Sequence, residues 1–456
     1  MAGIGFELRK LLAQNNLTGV LQAYLYASII GSGPWVLSIV GILVIGLVSS
    51  AVAAPGLMVT QFQVSVTYLI AGSLILTGFV QLSFTRFIAD RLYEKKEAIV
   101  LPNFNGVTLV VTAASGTLGL AVVAFLFPEQ SIAYRLLMLT GFVMLSNIWV
   151  ATIFLSGLKQ YKQIVLLYGM GYGVTVVSAL VLRPLGLEGL LLGFVLGHAV
   201  MLLGMVLLVV RSYPATQFIA FDFLRPGAMY WSLILVGFLY NFGVWLDKII
   251  FWYGPATGQP VIGPLHASVI YDLPVFLAYL SILPGMAVFL VRMETDFVEY
   301  YQQFYDAVRG GSTLARLEDL RNEMVYTIRR GLFEIIKIQT IATLVIFVAG
   351  PSLLRLLGIP ALYLPLLYID VVAAGLQVVL LGLMNVFFYL DKRNVVLGIT
   401  ALFVVLNGIF TWATLELGAA WFGYGFAAAV FATVFAAFLV LDRKLDTLEY
   451  DTFMLQ

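Results

Sequence analysis

The chain has 456 residues, of which 61% are hydrophobic and 11% charged, and its formal net charge is +1. A soluble domain of this length cannot bury so much apolar surface, so the composition indicates a polytopic membrane protein. The small net charge argues against a nucleic-acid partner. The chain has no cysteine and only two histidines, so disulfides and iron–sulfur clusters are excluded and we expect neither a metal nor a cofactor.

The N-terminal 1–21 has its apolar residues at helical spacing, which predicts a cytoplasmic amphipathic helix. The apolar run that follows, 22–48, is long enough to cross a bilayer. Near its middle lie Gly31, Gly33 and Pro34, where proline removes a helix hydrogen bond and the glycines loosen the turn. The sequence therefore predicts a hinge close to the midplane, the alternative being a proline kink that serves packing alone.

Eleven further apolar runs follow, and each is long enough to cross the membrane. They cover approximately 62–85, 104–127, 132–157, 163–183, 187–210, 229–253, 269–291, 333–357, 361–390, 395–415 and 421–441. The polar stretches between and after them define a first six-helix lobe, a cytoplasmic linker, a second six-helix lobe with a cytoplasmic insertion, and a cytoplasmic tail. The predicted boundaries are 22–210, 211–228, 229–441 with the insertion at 292–330, and 442–456.

Most of the 25 Lys and Arg residues fall on one side of the twelve spans, which places both termini in the cytoplasm. A shift of about 210 residues brings the first two spans onto the seventh and eighth. The same shift brings 33–35 onto 243–245, which makes Gly243 a second predicted hinge residue. The pattern predicts an all-α integral membrane protein with twelve transmembrane helices in two parallel six-helix lobes around a central cavity.

Asp247, Lys248 and Asp370 are ionisable residues that lie deep within predicted spans. Each costs roughly 2.5–3.5 kcal/mol to insert, so such groups face a cavity or a partner. Adjacent helix positions point about 100° apart, so Asp247 and Lys248 are not expected to pair merely by being neighbours. One would face the cavity while the other reaches outward. The alternative is a structural ion pair with a charged residue at the same outer level, either Asp272, Arg135 or Glu188.

Aromatic and amide side chains complete the candidate substrate cavity. Trp35 and Trp245 lie deeper than the membrane interface, where flat aromatic faces suit a pyranose chain. Asn147 and Asn241 would bind sugar hydroxyls or tie helices together. No Asp-x-Asp pair and no glycine-rich phosphate loop with lysine is present, so the sequence does not favour an enzyme.

The insertion at 292–330 carries charges of both signs at helical spacing, which predicts two short surface helices. Its arginines Arg309, Arg316 and Arg321 are candidates for docking a cytosolic partner. The alternative is a solvated loop without a partner.

Three segments carry a family resemblance: Met1–Lys10, Gly31–Ser38 and Arg86–Lys96 resemble the PelG family of inner-membrane transporters for the Pel exopolysaccharide. This family belongs to the superfamily of multidrug, oligosaccharidyl-lipid and polysaccharide exporters. The resemblance implies two six-helix bundles that work by alternating access. It also implies export of an N-acetylgalactosamine-rich polymer from a cytosolic glycosyltransferase to the periplasm. The implied membrane partners are a cyclic-di-GMP receptor and an associated Pel subunit.

Three hypotheses follow. The first is a polysaccharide exporter with an inter-lobe cavity. The second is an ion-coupled flippase or antiporter for lipid-linked oligosaccharides or small molecules, which requires a titrating acid such as Asp247 or Asp370. The third is a membrane scaffold that anchors the synthase without transporting anything.

Overall fold

The computed structural model describes residues 18–19, 22–24, 27, 56–158, 160–215 and 217–454. Among these residues, eleven helices are long and apolar enough to cross a membrane. They correspond to eleven of the twelve predicted spans, and the first span, 22–48, lies largely outside the described residues. The all-α membrane fold class is therefore confirmed.

The contacts within the chain divide it into two compact units. One unit is Pro34–Ser268, and the other combines Met1–Gly33 with Val269–Gln456. In the first unit, the helix that contains the seventh predicted span packs against the helix of the second span, so both belong to one unit. The two six-helix lobes that the sequence suggests remain a prediction.

The unit Pro34–Ser268 contains six long helices and a small hairpin. These are α1 Gly56–Tyr93, α2 Val100–Leu126, α3 Ile132–Gly157, α4 Tyr161–Leu182, α5 Leu187–Ser212 and α6 Trp231–Tyr253, followed by strands β1 Gln259–Ile262 and β2 Leu265–Ala267. The strands are antiparallel, with Gln259 opposite Ala267. The hairpin was not predicted from the sequence, because each strand is only three or four residues long.

Glycines allow the helices of this unit to approach backbone to backbone. On α5, Gly189, Gly193 and Gly197 recur every four residues and face α4. A Cβ at Gly193 would lie 2.3 Å from the backbone nitrogen of Ala179, closer than any side chain permits. Small residues at this spacing are typical of membrane helix interfaces, where close approach maximises van der Waals contact.

A second glycine contact joins α1 to α6. A Cβ at Gly237 would lie 2.2 Å from the carbonyl oxygen of Gly78, and one at Gly78 would lie 2.6 Å from the oxygen of Gly237. The rings of Phe79 and Phe238 stack beside this crossing, with centroids 4.2 Å apart. The two helices are therefore in direct backbone contact, with an aromatic pair alongside.

The unit that begins at Val269 is also helical. It contains α7 Val269–Leu280, α8 Leu283–Val291, a π-helical segment Arg292–Phe297, α9 Val298–Arg309, α10 Leu314–Leu356, α11 Leu364–Tyr389, α12 Arg393–Leu417, α13 Tyr424–Asp446 and α14 Leu448–Met454. The eighth predicted span is thus interrupted at Ser281 and Ile282, just before Pro284, which lacks the backbone N–H that a continuous helix would use.

Two expectations about polar segments were wrong. The insertion 292–330 does not form separate short helices: its helical residues continue α8 through α9 and start α10, which is 43 residues long. Similarly, α1 continues through the predicted charged loop as far as Tyr93. In both places the charges are compatible with helix, since Arg86 pairs with Asp90 one turn later at 3.0 Å.

Candidate functional site

The Asp247 and Lys248 side chains on α6 form an ion pair with each other. The Lys248 ammonium lies 3.0 Å and 3.2 Å from the two Asp247 carboxylate oxygens and donates a further hydrogen bond to the carbonyl of Val244, at 3.0 Å. Both side chains are buried, with exposures of 1% and 0%. The expectation that the two would face apart was wrong, because the long lysine stem folds back along its own helix to reach its neighbour.

Aromatic rings lie around the C-terminal end of α6. Trp252 stacks on Tyr68 of α1 with centroids 4.5 Å apart, and the Trp245 ring lies 6.1 Å from that of Trp252. The Tyr68 hydroxyl donates to the carbonyl of His266 in β2, at 2.9 Å. The Tyr253 hydroxyl donates to the carbonyl of Pro264, at 3.1 Å. The predicted cavity residue Trp245 is therefore buried next to Trp252, in a group of aromatic side chains whose members Tyr68 and Tyr253 hold the hairpin against α1 and α6.

The two candidate asparagines differ in their surroundings. Asn147 is buried and donates to the Thr112 hydroxyl on α2 and to the carbonyl of Val143, both at 2.9 Å. It ties α2 to α3, which was one of the two predicted roles. Asn241 on α6 is half-buried beside Gly78, and the described part of the chain shows no hydrogen bond to its amide. Asn241 is therefore the better candidate for contact with a sugar hydroxyl.

His198 is packed inside the first unit. Its Nδ1 lies 2.8 Å from the carbonyl of Phe194, and Tyr172 and Phe194 enclose its ring. Because the side chain is fully buried among aromatic rings of α4 and α5, it serves packing between these helices.

Asp370 lies on α11 against the start of α13. The carboxylate is buried, and its Oδ1 would lie 3.1 Å from a Cβ placed on Gly423, the residue that precedes α13. Gly423 has φ +85°, a conformation that glycine adopts without strain. The positive end of a helix dipole stabilises a nearby carboxylate. Gly423 thus leaves room for the Asp370 carboxylate at the N-terminus of α13.

A polar group missed by sequence reasoning lies at the break between α7 and α8. Gln339 of α10 donates to the carbonyl of Ser281 at 3.1 Å, and the Tyr279 hydroxyl donates to Gln377 of α11 at 3.0 Å. Gln339 lies between two glycines, since a Cβ at Gly285 or Gly375 would meet its side chain at 2.4 Å or 2.7 Å. The sequence signal was the Pro284-Gly285 pair, which follows the break directly.

Glu294 was also misread, because it belongs to the stretch expected at the surface. It is only 2% exposed and lies in the π-helical segment. Its carboxylate accepts hydrogen bonds from the Tyr389 hydroxyl at 3.0 Å and from the Asn385 amide at 3.5 Å. Single π-helical turns are frequent at functional sites, so Glu294 joins Asp370 as a buried acid of this unit.

The remaining candidates are placed as follows. Gly31, Gly33, Pro34 and Trp35 lie outside the described residues. Gly243 lies within α6, which is continuous through it, so its role as a hinge stays a prediction. Arg309 pairs with Asp306, and Arg316 is exposed near the start of α10. Arg321 instead forms an ion pair with Glu449 of α14 at 3.3 Å. Within the described residues, no three His, Asp or Glu side chains are grouped to hold a metal.

Several solved structures of membrane transporters share this fold. The chain is similar to the inward-facing form of a multidrug resistance MATE family transporter of the MOP superfamily, with 13% identity, a TM-score of 0.65, and coverage of 94% of this chain and 96% of that one. The outward-facing form matches with 14% identity, TM-score 0.63 and the same coverage. A MOP superfamily transporter from Pyrococcus furiosus, whose binding pocket is described as having reverse polarity, matches with 15% identity, TM-score 0.60 and the same coverage. These likenesses show the fold alone.

The family comparison covers almost the whole chain. No curated protein matches the sequence. The family model of PelG, described as "Putative exopolysaccharide Exporter (EPS-E)", matches residues 1–453. The match includes both compact units, and therefore every candidate residue described above. The chain belongs to the PelG family of exopolysaccharide exporters.

Proposed function

We propose that this protein exports an N-acetylgalactosamine-rich exopolysaccharide, Pel, across the bacterial inner membrane to the periplasm by alternating access. The family match over residues 1–453 carries this proposal, and a transporter fold rather than an enzyme fold supports it. With both termini in the cytoplasm, the charged ends of α9 and α10 lie on the side where the polymer is made.

A polymer localisation assay tests the proposal. The gene is deleted in a producing strain with the synthase intact, and the polysaccharide is stained outside and inside the cells. We expect external polymer to disappear and to return with the wild-type protein. We expect Asn241→Phe to block its return, because the larger ring would replace the half-buried amide that packs against Gly78 and would fill the space around it. Val405→Phe, at an exposed position of α12, is the control for added bulk.

Membrane abundance of each variant is measured in parallel. Restoration of external polymer by Asn241→Phe at normal abundance would contradict a contact between Asn241 and the exported polymer. It would leave the scaffold hypothesis, in which the protein only anchors the synthase.

The second candidate is an ion-coupled flippase or antiporter for lipid-linked oligosaccharides or small molecules. The buried carboxylate of Asp370 at the start of α13 favours it, since acids within membrane helices commonly act in proton or ion pathways. Under this alternative, Asp370→Asn would abolish transport that depends on an ion gradient in liposomes. Polymer export unaffected by Asp370→Asn would count against it.

The proposed partners are a cytosolic glycosyltransferase, a membrane-bound cyclic-di-GMP receptor and an associated Pel membrane subunit. The end of the α9–α10 pair supports a docking role, because Arg316 is exposed there. We expect Arg316→Glu to reduce co-purification of the synthase several-fold, since charge reversal repels an acidic partner surface. Arg329→Glu, an exposed arginine farther along α10 that pairs with Asp442, is the control. If equal amounts of synthase co-purify with both variants, Arg316 does not belong to the interface.

A further inference from the structure

The unit Pro34–Ser268 contains a cavity with no assigned role, at the end of α1 that the charge pattern places in the cytoplasm. Its volume is about 340 Å³, within the range of small-molecule sites. Three cationic side chains line it, Arg91, Lys96 and Arg225, together with the Asp222 carboxylate. The lining therefore carries a net positive charge.

The segment after α5 forms one wall of this cavity and is firmly attached to α2. The Ala220 amide donates to the carbonyl of Pro102 at 2.9 Å. Asn103 and Asp222 exchange two hydrogen bonds, at 2.9 Å and 3.0 Å. Gly106 permits this approach, because a Cβ there would lie 2.0 Å from the Ala220 carbonyl oxygen. The wall is thus built in advance of any ligand, which lowers the entropy cost of binding.

Aromatic packing holds the same wall against α1. Phe223 is buried and meets Phe84 edge to face, with ring centroids 5.5 Å apart. Phe87, one turn later on α1, lines the cavity, and the Arg91 guanidinium lies 5.4 Å from the centroid of its ring. Phe87 and Arg91, which both line the cavity, therefore lie at the same end of α1.

Acidic neighbours orient the three cations. Glu94 bridges Arg91 at 2.7 Å and Lys96 at 2.8 Å, and Asp222 pairs with Arg225 at 2.8 Å. The hydrogen bond from Lys96 and the charge of Arg91 lower the pKa of Glu94, so this bridge persists at neutral pH. Two carboxylates do not cancel three cations, and each guanidinium retains N–H groups beyond those that its carboxylate occupies.

We propose that this cavity binds a phosphate-bearing anion on the cytoplasmic side, independently of the transported polymer. Guanidinium groups donate paired hydrogen bonds to phosphate oxygens, and an ammonium adds a point charge. The phosphate would belong to an anionic lipid headgroup at the membrane surface or to a soluble phosphorylated metabolite. Because the site is open to solvent, its charges are screened by salt, and binding would weaken as the salt concentration is raised.

The test uses the full-length protein in nanodiscs and follows thermal unfolding by tryptophan fluorescence. In one arm, nanodiscs of phosphatidylcholine are titrated with inorganic pyrophosphate. In the other arm, phosphatidylglycerol replaces part of the phosphatidylcholine and no soluble phosphate is added. Stabilisation in the first arm identifies a soluble ligand, and stabilisation in the second identifies a lipid headgroup.

Arg225→Gln is the informative variant, because the Arg225 side chain is 77% exposed and its replacement leaves no cavity in the core. We expect it to weaken the apparent affinity about tenfold, as the loss of one charge-assisted contact would. Arg211→Gln is the control, since Arg211 is also exposed and lies at the end of α5 outside the cavity lining. Stabilisation in neither arm, or equal loss in both variants, would overturn the proposal.

Discussion

Asp247→Asn is expected to destabilise the protein severely, because it leaves the Lys248 ammonium buried without its carboxylate. Breaking a buried ion pair by removing one partner costs about 3–5 kcal/mol of the free energy of unfolding. Replacing both members by neutral groups costs much less, since no uncompensated charge remains. We therefore expect the double variant Asp247→Asn/Lys248→Met to unfold at a higher temperature in detergent than Asp247→Asn alone.

Asp90→Asn is the matched control for this experiment. The Arg86–Asp90 pair has the same 3.0 Å separation, but its side chains are 42% and 35% exposed, so its loss should cost less than about 1 kcal/mol. If Asp247→Asn unfolds no earlier than Asp90→Asn, the pair is not buried as described. Polymer export by the double variant then distinguishes two roles of the pair. If the pair only stabilises α6, the double variant should still export polymer. If the pair takes part in transport, export should be lost.

Gly237→Ala is expected to have the second large effect, at the crossing of α1 and α6. The added methyl would lie 2.2 Å from the Gly78 carbonyl oxygen, and the backbone of one helix must move to admit it. Overpacking of a tight interior costs about 1–3 kcal/mol, and contact with backbone rather than a flexible side chain favours the upper end. The midpoint of thermal unfolding should therefore fall by several degrees.

Gly398→Ala on α12 is the control, because no atom lies within 4 Å of the position that its Cβ would occupy. It should leave stability unchanged or raise it, since alanine is the better helix former.

The absence of native cysteine allows an independent test of the crossing of α1 and α6. Phe79→Cys and Phe238→Cys introduced together should be cross-linked by a thiol reagent with a short spacer, because their rings stack beside the crossing. Absence of cross-linking would contradict the close approach of α1 and α6.

Sequence reasoning located the spans well, since a run of apolar residues long enough to cross a bilayer leaves a signal that does not depend on tertiary contacts. It did not predict which polar side chains contact each other. The pairing of Asp247 with Lys248 depends on the length and rotamer of lysine, which the angle between helix positions does not include. The break at Ser281 has apolar residues on both sides, so the average hydropathy stays high across it and does not reveal the interruption of the helix.

In the candidate site, too, local sequence patterns were recognised but contacts between distant residues were not predicted. The glycines at 189, 193 and 197 and the pair Pro284-Gly285 were visible in the sequence. Their structural roles depend on the neighbouring helices that pack against them, which the sequence does not specify. Glu294 was assigned to the surface because charged neighbours surround it along the chain, whereas Asn385 and Tyr389 from a distant helix enclose it in space. A partner almost a hundred residues away leaves no trace in a local pattern.

The length of α10 has a practical consequence for imaging this protein. A helix of 43 residues is about 65 Å long, and only about 30 Å of that crosses the hydrocarbon core. The turn that joins α9 to α10 is exposed, and a Cβ at Gly311 would meet no atom within 4 Å. A rigid fiducial protein fused at this turn would stand clear of the detergent micelle on a two-helix stalk. Electron cryo-microscopy would then have an asymmetric feature for aligning the particles.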